Sequence, residues 1–311
     1  YQREKPYIAV VKDGAGIGRV MKLPAYSSVI GTMQYIIPNE KVDINYLVYS
    51  MEYMNLAKYF SGATIPHIYF RDYQKEPLNL PEIKVQKKIG GILSNIEKLI
   101  AFRNQELSKF DQLVKSRFIE LFGDPVSNDK FWNLAILQDV TSKIGSGATP
   151  KGGKSSYQKE GIPFIRSMNV HDGVFLSKDL AYLSDKQAKQ LENVIVKEND
   201  VLLNITGASV ARSCIVPKTV IPARVNQHVS IIRCIPKYLN PEFLNKLFLH
   251  HRYKNLLLSL GEAGGATRQA ITKSQLEKLQ IILPPLTLQN EFADFVQQVD
   301  KSKYGEILNA L

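Results

Sequence analysis

Two stretches of the chain repeat one another, and a repeat of long period restricts the fold to duplicated domains. Gly62-Ala63-Thr64 recurs 203 residues later as Gly265-Ala266-Thr267, and at the same offset Ile68, Lys75, Leu80, Pro81 and Gln86 return as Ile271, Lys278, Leu283, Pro284 and Gln289. Upstream the offset is 193, where Gly14, Ala15, Arg19 and Gln34 return as Gly207, Ala208, Arg212 and Gln227. Ten inserted residues between the two blocks account for the change. Solenoid repeats have periods of about 20–50 residues, so this spacing implies two copies of a whole domain. A chain of 311 residues gives each copy room for its own core.

The formal net charge is +11, with a sequence pI near 9.4. Such an excess favours a polyanion, either nucleic acid or an anionic membrane surface. No apolar run approaches the roughly 20 residues of a membrane span, so no integral membrane role is expected. No signal peptide is visible, and Tyr1 is an unusual first residue, which suggests that the natural N-terminus lies upstream. Cys214 and Cys234 have neither zinc spacing nor a disulfide framework, and a cytoplasmic setting is the simplest expectation.

Residues 1–84 mix strand-like runs (Tyr7 to Val11, Tyr35 to Ile37) with a helical stretch from Asn45 to Phe60, as in a compact α+β domain. Gln86 to Phe122 then contains no proline, and its glycines are confined to Gly90 and Gly91. Leu93, Ile100, Leu107, Val114 and Leu121 fall every seven residues, and Ile89, Ile96, Arg103, Phe110 and Arg117 form a second row four residues earlier. That pattern predicts a coiled-coil helix needing a partner for its seam, stopped by Gly123-Asp124-Pro125. A second α+β domain occupies 124–285, with strand-like runs from Val201 to Ile205 and Val229 to Ile235. A shorter helix follows over 286–311, with Phe292, Val296 and Val299 on one face and Lys303 where the first helix has Ile100. The first domain shows no counterpart of residues 126 to about 195: either the chain begins inside that domain or the domain is incomplete.

Polar motifs supply the candidate site. Asp13-Gly14-Ala15-Gly16-Ile17-Gly18 invites a cofactor reading, but its spacing is not G-x-G-x-x-G and the copy at Gly207 lacks the later glycines, so a shared turn is expected. Arg19 and Arg212 recur five residues after the matched glycines, placed for phosphate or base contact. The loop Gly145 to Lys154 offers Lys151 and Lys154 with small hydroxyl donors suited to a DNA backbone. Arg268 and Gln269 carry the side chains that pair with guanine and adenine edges, whereas the first copy has His67 near that place. Divergence at the tip of a retained frame is what two different half-sites require. Asn226-Gln227-His228 reads as a polar triplet at the start of a strand, its histidine structural. The histidines show no metal spacing, no nucleophile or Walker signature is present, and neither catalytic residues nor a cofactor is expected.

In these residues the chain resembles the specificity subunits of Type I restriction–modification systems. The resemblance is carried by Gly147-Ala148-Thr149-Pro150, Ile165-Arg166-Ser167-Met168-Asn169-Val170, Val201 to Gly207, Val225-Asn226-Gln227-His228, Gly265 to Ile271, and Leu283-Pro284-Pro285 followed by Gln289. It implies two globular target-recognition domains joined by long antiparallel coiled-coil spacer helices. Residues 1–84 would be the C-terminal part of the first domain, 85–123 the first spacer helix, 124–285 the second domain, and 286–311 a shortened second spacer helix. Each domain would read half of a split duplex DNA target. The helices, through Leu93, Ile100, Leu107, Val114 and Leu121, would act as a ruler and dock methyltransferase subunits. A restriction/translocase subunit would complete the complex, and methylation and cleavage would belong to these partners, this chain having no catalysis of its own. Arg166 and Asn169 join Lys151, Lys154, Arg212, Arg268, Gln269, Arg19 and His67 as expected DNA contacts. The rival readings are an adenine methyltransferase using the glycine cluster at 14–18, and a coiled-coil scaffold without DNA readout.

Overall fold

The computed structural model describes residues 4–62, 65–262 and 269–309, the stretch 304–309 as backbone only. It mixes helix and strand in two compact units, residues 1–107 and 108–311.

The first unit is built on β1 (Tyr7–Val11), whose five residues are all buried. β2 (Val20–Leu23) and β3 (Met33–Ile36) flank it in an antiparallel sheet of order β2-β1-β3. α1 (Ile44–Tyr53) starts at Asp43, whose carboxylate accepts the N–H groups of Asn45 and Tyr46, both at 3.0 Å. Leu47, Val48 and Met51 of α1 close the core over Ile8, Val10 and Val20, with Ile68 and Tyr73 beneath. α2 (Phe70–Tyr73) supplies that tyrosine, and α3 (Ile83–Phe122) follows as one helix of 40 residues. Gly90 of α3 has no tolerance for a side chain, because a Cβ there would stand 2.9 Å from the Tyr46 backbone nitrogen.

Residues 108–122 of α3 open the second unit. The helix stops at Gly123, whose φ of +70° no β-carbon favours, and the Trp132 indole N–H caps the Phe122 carbonyl at 3.0 Å. β4 (Leu134–Ile136) and β5 (Thr141–Ser146) come next, then β6 (Ile162–Ile165), β7 (Val170–His171), β8 (Val174–Phe175) and β9 (Ala181–Leu183). α4 (Asp185–Lys189), β10 (Ile195–Val196), β11 (Val201–Asn204), β12 (Ser213–Ile215), β13 (Ala223–Val225) and β14 (Val229–Cys234) complete two sheets, ordered β12-β11-β14-β5 and β10-β13-β6-β9. β11 is buried on both faces: Leu202 enters a core with Phe164 and Val225, while Val201 and Leu203 enter a second core with helices. This explains its uninterrupted apolar run, since successive side chains alternate between two packed layers. α5 (Pro241–Leu249), α6 (His251–Glu262), α7 (Lys273–Glu277), β15 (Gln280–Ile282) and α8 (Leu286–Asn309) finish the unit.

The repeat is visible in hydrogen-bond register. β1 pairs Ile8 with Lys22 and Val10 with Val20, and β11 pairs Val201 with Ile215 and Leu203 with Ser213, the same ladder 193 residues on. The third strand corrects one expected match. Val10 faces Gln34, and Leu203 faces Ser230, so the structural counterpart of Gln34 is Ser230 and not Gln227. The insertion therefore begins between the second and third strands of the repeat.

The coiled-coil seam needs a larger correction. Of its predicted row, Val114 is buried, Leu121 and Leu107 are half-buried, and Leu93 and Ile100 are 36% and 57% exposed. In the second unit the packed face of α3 is Val114, Phe118 and Phe122, with Phe110 alongside. Phe118 and Phe122 lie outside both heptad rows, because α3 here meets α5 and α8 together and needs a broader apolar face than a two-helix seam. α8 runs antiparallel to this part of α3: Arg117 bridges Glu291 at 2.7 Å, and Lys303 bridges Asp111 at 2.7 Å. No helix among the described residues is long and apolar enough to cross a membrane.

Candidate nucleic-acid interface

The glycine cluster is a turn, repeated in both units. After β1, Val11 N–H donates to the Arg19 carbonyl at 2.9 Å and Gly18 N–H to the Val11 carbonyl at 2.8 Å. After β11, Asn204 N–H donates to Arg212 at 2.8 Å and Ala211 N–H to Asn204 at 2.9 Å. Gly14 and Gly207 have φ of +80° and +72°, and Gly18 and Ala211 have +77° and +65°. The turn is tied to a distant segment in the same way, by Gly14 N–H to the Pro66 carbonyl and Gly207 N–H to the Gln269 carbonyl, both at 2.9 Å. Its geometry opposes the cofactor reading: a Cβ on Gly18 would sit 2.4 Å from the Ala57 backbone nitrogen, so that glycine faces packed protein.

In the second unit the turn borders a hollow of about 570 Å³ lined by Met168, Thr206, Gly207, Arg212, His228 and Gln269, among others. Two expected contacts, Arg212 and Gln269, thus come together. The Gln269 side-chain amide donates to Glu262 at 2.9 Å, at the rim. His228, expected to be structural, lines the hollow with its Nδ1 against the Thr206 hydroxyl, a pairing the sequence did not reveal. Arg268 lies outside the described residues.

The glycine-rich loop is pinned to this region. A Cβ on Gly147 would fall 1.7 Å from the Val225 carbonyl oxygen, and the Thr149 hydroxyl donates to the Gln227 side-chain oxygen. Lys151 and Lys154 project from it, both exposed. Arg166 is half-buried, donating to the Asp179 carbonyl with its guanidinium 5.6 Å from the Tyr157 ring centroid. Asn169 is corrected by the structure. It is fully buried, its oxygen accepting the Arg166 N–H at 3.0 Å and its amide donating to Leu176 and Lys178 carbonyls at 2.9 and 3.3 Å. An amide so committed holds a turn and presents nothing to a ligand.

In the first unit Arg19 is exposed, and His67 pairs through Nδ1 with Asp13, the residue before Gly14. Thr206 occupies the equivalent place before Gly207, so each unit sets a histidine against this position, from a different segment. Tyr69 lies against His67 with ring centroids 4.0 Å apart, and Arg71 stands 4.6 Å over Tyr69. Among the described residues no three His, Cys, Asp or Glu side chains converge as metal ligands would.

Comparison with known proteins places this geometry in a family. A family model described as Type I restriction modification DNA specificity domain matches residues 1–110 and 130–311. The putative type I restriction enzyme MjaX specificity subunit of Methanocaldococcus jannaschii is 24% identical over 290 residues, covering 85% of this chain and 63% of that protein. The MjaVIII specificity subunit of the same organism is 23% identical over 312 residues, covering 94% and 72%. The chain thus spans under two thirds of the first of these relatives. The crystal structure of a Type I restriction–modification S subunit from M. genitalium superposes with a TM-score of 0.64 at 14% identity, covering all of this chain and 80% of the other.

Proposed function

The chain belongs to the Type I restriction modification DNA specificity family, and on that premise we propose that it is a non-catalytic reader of a bipartite duplex DNA target. It positions methyltransferase and restriction subunits that carry out the chemistry. One observation carries this reading: two units share a hydrogen-bonded frame while differing in the side chains at its tip, on a chain of net charge +11. A common frame with different tips suits two different half-sites. We assign the first half-site to residues 1–84 and the second to 124–285, with 85–123 and 286–311 as spacer helices. Arg19 and His67 contact DNA in the first, and Lys151, Lys154, Arg166, Arg212, Arg268 and Gln269 in the second. The exposed apolar row of α3, including Leu93 and Ile100, is the docking surface for a methyltransferase subunit.

Co-expression with a matching methyltransferase subunit, followed by mapping of adenine methylation in host DNA, tests the reading. A single split motif that disappears when this chain is omitted is the expected result. Copurification without any new motif would leave docking but remove DNA reading. DNA affinity should also fall steeply with salt, because phosphate contacts release counterions.

The spacer role has its own test. One heptad inserted after Leu107 adds about 10 Å of helix, and the mapped motif should gain about three base pairs between its halves at 3.4 Å each. An unchanged spacer would remove the helix as a ruler.

A further inference from the structure

What two recognition units share cannot be what distinguishes their targets. The shared part here is specific: the turns from Gly14 to Arg19 and from Gly207 to Arg212 share their closing hydrogen bonds, left-handed residues at 14/207 and 18/211, and an arginine at the same place, while Gly16 is left-handed in the first turn alone. The neighbouring side chains differ. Asp13 stands where the second unit has Thr206, and His67 where it has Ala270, as the matched bridges Asp13–His67 and Thr206–Ala270 show.

The two arginines are also set apart from Arg166 and Arg224, which donate to main-chain carbonyls, and from the carboxylate-paired arginines. Arg117, Arg233 and Arg252 are paired with Glu291, Asp200 and Asp124. The guanidinium groups of Arg19 and Arg212 engage no carboxylate among the described residues, and Arg212 is half-buried in a hollow whose rim carboxylate, Glu262, is bonded to the Gln269 amide and not to Arg212. A half-desolvated cation without a partner is stabilised by an anion from outside. Around it stand uncharged donors, the hydroxyls of Ser167 and Ser209.

We propose that Arg19 and Arg212 are matched phosphate anchors, each holding a DNA backbone phosphate at the equivalent place of its half-site and fixing the unit's register without reading a base. The proposal rests on the DNA-reading function above. It divides the interface by the repeat itself: retained positions grip the backbone, and diverged positions such as His67 and His228 face the bases.

The test uses the full chain with two duplexes of equal length, one carrying the mapped split motif and one unrelated, titrated across a salt series. Arg19→Gln and Arg212→Gln should each weaken binding to both duplexes by the same factor and lower the salt slope by about 1. Arg212→Lys should restore most of the affinity, because a phosphate accepts a point charge whereas a bidentate guanine contact does not. Methylation mapping with each variant should return the unaltered motif. A motif relaxed at one position, or a lysine variant as impaired as the glutamine one, overturns the proposal in favour of base reading. An unchanged salt slope overturns it in favour of a structural role, which thermal unfolding of the same variants would display. If the unsubstituted chain binds neither duplex at any salt, DNA reading itself falls, and the anchors with it.

Discussion

Phe118→Ala is expected to lower the stability of the second unit by about 3–5 kcal/mol, the cost of emptying a large aromatic site in a packed core. Phe118 is 2% exposed and stands at the centre of an aromatic group drawn from three helices. Its ring lies 5.0 Å from Phe122 on α3, 5.8 Å from Phe243 on α5 and 5.5 Å from Phe292 on α8. His250 stacks on it at 5.9 Å, its pKa held below the ordinary imidazole value by burial and by the neighbouring His251. Removing the ring opens a void that several neighbours share and that α3, fixed by Gly123 and the Trp132 cap, cannot collapse to fill. Thermal unfolding should show a transition about 10 °C lower for a unit of this size. Ile100→Ala is the comparison: it belongs to the heptad row yet is 57% exposed, and its cost should stay within about 0.5 kcal/mol. Equal losses in the two variants would mean that the heptad row, and not the aromatic group, organises the helix.

That contrast shows where sequence reasoning reached and where it stopped. The repeat was legible because its demands are local: Gly14 and Gly207 must take positive φ, and few other residues do so at low cost. Ala211 meets the same demand as Gly18 without being glycine, so the full extent of the matched turn was hidden. The seven-residue row was real in the sequence, but periodicity does not state how many neighbours a helix face will meet. Two further helices, α5 and α8, meet residues 110–122 of α3, so the apolar face spreads to Phe118 and Phe122. Asn169 sat in a motif rich in polar residues, and nothing in its identity distinguishes a buried turn amide from a surface reader. The pairs Asp13–His67 and Thr206–His228 join residues far apart in sequence, the first across a strand bridge and the second by side-chain contact, and only the fold creates either. Lys151, Lys154 and Arg19 are legible as surface cations because charge and loop composition act at short range, whereas the half-burial of Arg212 is set by the fold.

The repeated glutamine leads to the second large effect. Gln86 and Gln289 sit in the first turns of α3 and α8, fully buried. The Gln289 side-chain oxygen accepts the Asn240 N–H at 2.9 Å, and its amide donates to the Tyr238 and Pro284 carbonyls at 3.2 and 2.8 Å. Gln86 repeats this with Asp43 N–H at 2.9 Å and the Lys41 and Pro81 carbonyls at 3.0 and 2.7 Å. Each glutamine thus joins the start of its helix to the cap of α1 or α5, satisfying three main-chain groups at once. Gln289→Ala strands those groups and should cost about 2–4 kcal/mol, from roughly 1–3 for each buried group left unpaired and partial access of water. Gln289→Glu keeps the shape but turns an oxygen toward two carbonyls, so it should be worse than alanine at neutral pH. The fold raises the pKa of that introduced carboxyl. The ionisation part of its penalty should therefore be absent below the unfolded value of about 4.3 and grow as pH rises toward the folded value, leaving at low pH only the smaller cost of the one donor a neutral carboxyl lacks. Denaturant unfolding of the two variants at pH 4 and pH 7.5 measures this directly. If the glutamate variant matches the parent at neutral pH, the amide is not donating to Tyr238 and Pro284. The glutamine would then recur for some reason other than fastening helix to domain, and the equivalent clamp at Gln86 would lose its basis too.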